Sequence, residues 1–312
     1  MRTVYLNGQF VPESEAKLSI YDLSVMQACA AFEMTRSFGG VHFKLREHLD
    51  RLARSCDLLS IPHPRSSVTD LADLCQRVSE QNDHGPGEEH RLLIVVSPGC
   101  APMYRDLGGV IPHPFLYIAD FPLRYTVAGF GKYFTEGVHC VTSPIQQVPE
   151  ACVPSAAKHR ARLHFHLAQQ QAPAGTWPML LDQHGTVTES PGANLVTVTR
   201  AQVLACDTHS LPGISVQTVR ELVPTVSHPR PLVWQLQGNE ELWLTGTPFC
   251  MLPVVSLDGR PIRGGTIGPV FTETLAKWSA RVGLDIAQQI INWDTPSPGE
   301  TPDAQRRTKN LH

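Results

Sequence analysis

The sequence predicts an α+β fold in two domains with a cleft between them. Three observations carry that prediction. Apolar runs suited to strands alternate irregularly with stretches of helical spacing, which neither an all-helical nor an all-strand protein would show. A length of 312 residues exceeds one ordinary domain. A stretch of mixed character from Phe121 to Phe134 interrupts the pattern midway. The expected division is a small domain over 1–121, a linker over 122–134 and a larger domain over 135–292. A polar, Pro-rich tail over 293–312 has no apolar period and is expected to be disordered.

In order along the chain, Asn7-Gly8 between Val4-Tyr5-Leu6 and Gln9-Phe10-Val11 predicts a tight hairpin. Gly39-Gly40 predicts a second one between 31–38 and 41–43. Leu49, Leu52, Ala53, Cys56 and Leu59 share one face of a helix over 46–59, and another helix is expected over 68–81. The runs 91–97 and 114–119 are apolar enough for central strands, joined by a Gly- and Pro-rich loop. After the linker come a strand at 137–142 and a helix over 155–171 with Leu163, Leu167 and Ala168 inward. Strands at 179–182 and 186–188 flank a turn at Gln183-His184-Gly185. Further strands are expected at 195–198, 232–235 and 241–245, and helices at 216–222 and 270–282.

Composition narrows function. Apolar residues make up 42% and charged residues 18%, which suits a globular chain. The 26 basic and 29 acidic side chains nearly cancel, leaving −3 and no footprint for nucleic acid or an anionic membrane. No run approaches a membrane span and the N-terminus lacks a signal-peptide pattern, so a cytoplasmic protein is expected. Eight scattered cysteines without paired spacing read as reduced thiols. His159, His164 and His166 lack an acidic or thiol partner nearby, so no metal site is expected.

The chemistry begins with the amines. Only six lysines are present, and Lys158 alone follows a small, Pro-led segment, Val153-Pro154-Ser155-Ala156-Ala157, at the expected start of a helix. The dipole there favours the neutral amine that a Schiff base needs, although a solvated lysine would look the same. Further on, Val187-Thr188-Glu189-Ser190-Pro191-Gly192-Ala193-Asn194 sets one carboxylate in a strand-to-turn segment. Leu211-Pro212-Gly213-Ile214-Ser215 opens a helix with free N–H groups suited to an anion. Thr245-Gly246-Thr247 ends an apolar strand with hydroxyls beside a glycine.

Taken together with Tyr5-Leu6-Asn7-Gly8, Asp22, Phe32-Glu33, His48-Leu49-Asp50-Arg51-Leu52 and Leu252-Pro253-Val254, the series resembles the class IV aminotransferases, the fold-type IV pyridoxal phosphate enzymes. That family includes branched-chain and D-amino acid aminotransferases and aminodeoxychorismate lyase, and the resemblance runs from residue 5 to about 285. It implies a small α/β domain, a β-barrel-like larger domain, pyridoxal 5'-phosphate as cofactor and a homodimer. It implies that Lys158 holds the cofactor as an aldimine and shuttles a proton. It further implies that Glu189 bonds the pyridine nitrogen, and that Arg51, Ile214, Ser215 and Thr247 bind the phosphate. His48 and Asn194 are implied to be structural. Phe32, Gln27, Tyr104 and Arg105 are candidates for the substrate side, with core packing the alternative for Phe32 and a surface position for Arg105.

The departures concern substrate. Ser24 and Ala28 stand where the family usually has glycines, Gln27 where it has an aromatic residue, and Leu163 where branched-chain enzymes have Tyr. The leading expectation is a transaminase working by a ping-pong cycle between an amino acid or amine and a 2-oxo acid. The alternatives are a lyase of the aminodeoxychorismate type and a protein that binds the cofactor without catalysis.

Overall fold

The computed structural model describes residues 1–63, 68–104, 114–228 and 231–294. The tail expected from 293 lies, after Asp294, outside the described residues, as do Arg105 and most of the loop around it. The chain forms two compact units. One comprises Met1–Leu123 together with Ala151–Arg162, and the other Arg124–Glu150 together with the described chain from Leu163. The division drawn from the sequence is continuous; these units interleave, because the short segment Ala151–Arg162 is hydrogen-bonded into the first one.

The first unit contains strands β1 (Thr3–Leu6), β2 (Gln9–Pro12), β3 (Ala31–Met34), β4 (Ser37–Phe38), β5 (Val41–His42), β6 (His90–Ser97) and β7 (Phe115–Pro122). Its helices are α1 (Leu23–Met26), α2 (Leu45–Leu58) and α3 (Val68–Glu80). Five strands make a sheet in the order β2-β1-β7-β6-β3. Both expected hairpins form. Asn7 and Gly8 take positive φ between β1 and β2, and Gly39 and Gly40 do so between β4 and β5.

Alternation along the central strands gives the sheet two unlike faces. Ala31, Leu92, Ile94, Val96, Leu116 and Ile118 pack with Leu49, Leu52 and Cys56 of α2 and Leu71, Cys75 and Val78 of α3. The other face carries Phe32 and Val95, with Met34, Leu93 and Tyr117 against them.

The second unit has α4 (Arg124–Val127), α5 (Tyr133–Glu136), β8 (Val138–Thr142), α6 (Leu163–Gln171), β9 (Thr176–Met179), β10 (Glu189–Ser190), β11 (Ala193–Thr199) and β12 (Gln202–Cys206). It continues with α7 (Ile214–Leu222), β13 (Thr225–Ser227), α8 (Val233–Gln237), β14 (Glu241–Gly246), β15 (Cys250–Leu257), β16 (Arg260–Pro261), α9 (Pro269–Val282) and α10 (Ile286–Asp294). Its sheet runs β13-β12-β11-β14-β15-β8-β9, with β10 paired to β11 and β16 to β15. β14 is buried along its whole length and β11 and β15 nearly so, which explains their unbroken apolar runs.

Four expectations fail. Past Met179, where β9 ends, the strands expected at 179–182 and 186–188 reduce to isolated bridges, Leu181 to Val187 and Thr186 to Leu232. The helix expected from 155 begins only at Leu163, because residues 158–160 bond to β3 instead. Within that helix Leu163 is 68% exposed and Leu167 is exposed too, while Phe165 and Ala168 face inward against Leu180. The run 232–235, expected as a strand, is the start of α8; the Gln235 side chain accepts from the Leu232 N–H and closes its first turn. Among the described residues no helix is long and apolar enough to cross a membrane.

Candidate functional site

Helix α2 brings a polar stripe and an apolar stripe to the same sheet. Leu49, Leu52 and Cys56 fill the core, and His48, Arg51 and Ser55, spaced by three and four residues, lie beside them fully buried. The stripe meets Glu33 of β3, which is 0% exposed. Arg51 grips that carboxylate with two hydrogen bonds, Nε to Oε1 at 2.6 Å and Nη2 to Oε2 at 2.9 Å, and His48 Nδ1 lies 2.7 Å from Oε2. Burial alone would raise the Glu33 carboxyl, but Arg51 and His48 together hold it well below the usual carboxylate range. Burial also outweighs Glu33 at His48 and keeps its pKa below the ordinary value. Arg51 is therefore a cation with a fixed orientation, and His48 is buried against the same carboxylate.

Ser55 links this cluster to Lys158. Its hydroxyl donates to the Arg51 carbonyl at 2.9 Å and accepts from the Lys158 N–H at 3.0 Å. The Lys158 carbonyl accepts from the Phe32 N–H at 3.0 Å, and the Arg160 N–H donates to the Ala30 carbonyl at 3.0 Å. These bonds continue the sheet by one bridge, Ala31 to His159. Lys158 thus owes its place to a short strand-like strap and not to a helix N-terminus, so the expected helix dipole does not act on it. Its Nζ lies 4.8 Å from the Phe32 ring centre, with the guanidinium carbons of Arg160 at 4.2 Å and Arg162 at 5.7 Å from the same ring.

In the second unit Glu189 stands at the start of β10, opposite Asn194 across a hairpin that turns at Gly192. Its carboxylate accepts from the Gln147 amide at 2.8 Å and from the Leu211 N–H at 3.5 Å. The next side chain, Ser190, has a buried hydroxyl with no hydrogen-bond partner. Asn194 donates to the Leu211 carbonyl at 2.8 Å and so shapes the loop that enters α7. A Cβ on Gly213 would overlap Asn194 Oδ1, which makes glycine obligatory at that entry. Helix α7 begins at Ile214 and Ser215 without a side-chain cap. Helix α9 differs: the Glu241 carboxylate accepts from its Val270 and Phe271 N–H groups. Thr247 follows β14 in a turn, half-buried.

Each unit by itself carries groups of the kind the implied cofactor needs. The first has an amine and an oriented guanidinium; the second has a buried carboxylate, an orphaned hydroxyl and an uncapped helix start whose entry excludes a side chain at Gly213. Among the substrate-side candidates, Phe32 is buried beneath Lys158, and Tyr104 stacks on Tyr21 at 4.7 Å between ring centres. Gln27 is exposed at the end of α1. Arg105 lies outside the described residues.

Several residues of the site region are not among those the sequence singles out. Ser55 repeats the α2 stripe one turn after Arg51, a spacing that is visible in the sequence. Gln147 carries no local signal. Arg91 has one, as a single cation in an apolar strand. Among the described residues, one group of three side chains comes within metal-ligating range: His84, His90 and Asp120. Its shortest contact, His90 Nδ1 to Asp120 Oδ2 at 2.6 Å, is that of a charge-assisted hydrogen bond.

Comparison with known proteins gives a consistent result. The family model described as "Amino-transferase class IV" matches residues 30–257. The chain is 28% identical over 297 residues to a Methanocaldococcus jannaschii protein that carries a provisional branched-chain-amino-acid aminotransferase name, covering 89% of this chain and 98% of that one. It is 26% identical over 275 residues to the D-alanine aminotransferase of Bacillus licheniformis, covering 86% and 92%. The solved structure of a T.th. branched-chain amino acid aminotransferase with pyridoxamine 5'-phosphate superposes with a TM-score of 0.79 at 25% identity, covering 94% of this chain and 97% of that one.

Proposed function

The chain belongs to the class IV aminotransferases, whose cofactor is pyridoxal 5'-phosphate, and from that premise we propose that it moves an amino group between an amino acid and a 2-oxo acid through Lys158. The observation that carries this reading is the anchoring of Lys158, bonded through its N–H to Ser55 and through its carbonyl to Phe32. That anchoring fixes the Lys158 backbone, with its Nζ over the Phe32 ring.

The bound cofactor supplies a carbonyl that condenses with amines and a ring that withdraws electrons from the neighbouring carbon. Lys158 Nζ would be the group that holds it and would carry the proton to and from the substrate Cα. Glu189, oriented by Gln147 and the Leu211 N–H, keeps a proton on the pyridine nitrogen. Arg51, oriented by Glu33, binds the phosphate together with the N–H groups of Ile214 and Ser215 and the Thr247 hydroxyl. A homodimer of cytoplasmic location belongs to the same reading.

The test is spectral. Purified holoenzyme is mixed with L-amino acids, D-amino acids and (R)-amines, and the visible cofactor band is followed. Conversion by one class of amine, restored by a 2-oxo acid, is the expected result and reports chirality as well. Pyruvate released without an amino acceptor would favour the lyase instead, and sedimentation at working concentration checks the dimer.

A further inference from the structure

Away from Lys158, the first unit gathers three side chains that the amino-transfer chemistry does not use. His84 lies in the loop between α3 and β6, His90 opens β6, and Asp120 lies on β7, diagonally across the strand pair from His90. One ligand atom from each comes within 4.8 Å of the others. His84 Nε2 is 3.3 Å and His90 Nδ1 is 2.6 Å from the same oxygen, Asp120 Oδ2. The side chains of His84 and Asp120 are 5% and 0% exposed. Polar atoms buried so deeply are normally paired. Yet among the described residues His84 Nε2 makes no hydrogen bond, although it lies against the carboxylate, and Asp120 Oδ1 has no partner. His42 is the contrast. Its ring centre is 6.1 Å from that of His90, and both its nitrogens are taken, by Thr35 at 3.1 Å and Ser79 at 2.7 Å. The loop itself holds the two outer rings together. The Asp83 carboxylate accepts from the Gly85 N–H at 2.8 Å, Gly85 and Gly87 take positive φ, and the Glu89 carbonyl accepts from the Leu123 N–H at 2.8 Å.

We propose that His84, His90 and Asp120 bind one divalent transition-metal ion of the zinc type. Two imidazoles and a carboxylate are a donor set that such an ion prefers over a hard cation, which takes oxygen ligands. Ligands at about 2.0–2.2 Å from a tetrahedral Zn²⁺ lie about 3.3 Å from one another, and His84 and Asp120 already have that spacing. The proton between His90 and Asp120 leaves to water when the ion enters, and that contact opens by about 0.7 Å to the same spacing. The ion takes the unused lone pair of His84 Nε2 and offsets the buried charge of Asp120. A water completes the fourth position on the side where His90 is 18% exposed. Bound there, the metal ties the α3–β6 loop to β7. His90 stands six residues along β6 from Val96, the strand partner of Ala31, which puts about 20 Å between the cluster and the bridge beside Lys158. The metal therefore acts on the stability of the first unit and not on turnover.

The experiment titrates chelator-treated, dialysed holoenzyme with Zn²⁺ by calorimetry and with Co²⁺ by visible absorbance, with Mg²⁺ as the hard-ion control. Wild type should bind one equivalent of Zn²⁺ per chain, show the Co²⁺ band of a tetrahedral nitrogen and oxygen site, and melt higher with Zn²⁺ but not with Mg²⁺. His84→Ala and His90→Asn should each weaken Zn²⁺ binding by more than about 100-fold, since losing even a partner that only orients a ligand costs 10- to 100-fold. Both should lose the Co²⁺ band. His63→Ala, which removes an exposed ring paired with Asp57, should bind as wild type does. Circular dichroism of the metal-free variants checks their folding; if His90→Asn fails to fold, His84→Ala, in a loop with exposed neighbours, decides alone. Wild-type affinity in His84→Ala, or no Zn²⁺ bound by wild type at micromolar free metal, overturns the site.

Discussion

The two faces of the five-stranded sheet treat a buried arginine in opposite ways. On the helix-packed face, Arg51 meets Glu33 in a two-pronged pair with His48 completing the cluster. On the other face, Arg91 is nearly as deeply buried and has two donors without partners. A cation supplied with its counter-charge by the fold is part of the scaffold. A cation left without one is a cost that the rest of the fold carries. The contrast shows that burial alone does not tell whether the fold has neutralised a cation.

The largest expected effect breaks the second face at its reactive end. Lys158→Ala should abolish turnover and the visible cofactor band, while circular dichroism and the melting temperature of the cofactor-free protein stay near wild type. The next breaks the first face. Glu33→Gln leaves Arg51 buried against a neutral amide and should cost about 3–5 kcal/mol in chemical denaturation, with weaker cofactor retention as Arg51 loses its orientation. Gly213→Ala, which forces a Cβ into Asn194 Oδ1, should cost about 1–3 kcal/mol and raise the dissociation constant for pyridoxal 5'-phosphate.

Acid sharpens the contrast with a smaller effect. The native state keeps His48 and His42 neutral, burial lowering His42 to about 4, so the unfolded chain takes up their protons first as pH falls below 6.5. Glu33 follows below its ordinary value of 4.5. More protons bind to the unfolded state throughout, so these groups make stability fall as pH drops from 6.5 through 4. Glu33→Gln should flatten the lower part of that limb. The smallest effect has the opposite sign: Arg91→Met, which removes an unpaired buried charge, should melt at or slightly above wild type without substrate.

Elements with a local cause are legible in the sequence. Asn7-Gly8 specifies its hairpin by turn chemistry, and the spacing of Leu49, Leu52 and Cys56 specifies the face of α2. For Lys158 the local sequence misplaces the backbone. Pro154 to Ala157 resembles a helix start, and bonds to Ala30 and Phe32, distant in sequence, override that tendency. The run at 232–235 misleads because a short apolar run does not distinguish strand from helix, and here the Gln235 cap decides. Arg91 is illegible for a related reason, since its burial depends on which strands lie beside β6.

The bridge between Ala31 and His159 also carries information about time. All five strands of the first sheet precede residue 151, so during synthesis they can pair before the strap carrying Lys158 has left the ribosome. The five-stranded scaffold is thus complete before the segment that carries Lys158 exists, and that segment is added afterwards, as an extra rung on a finished ladder.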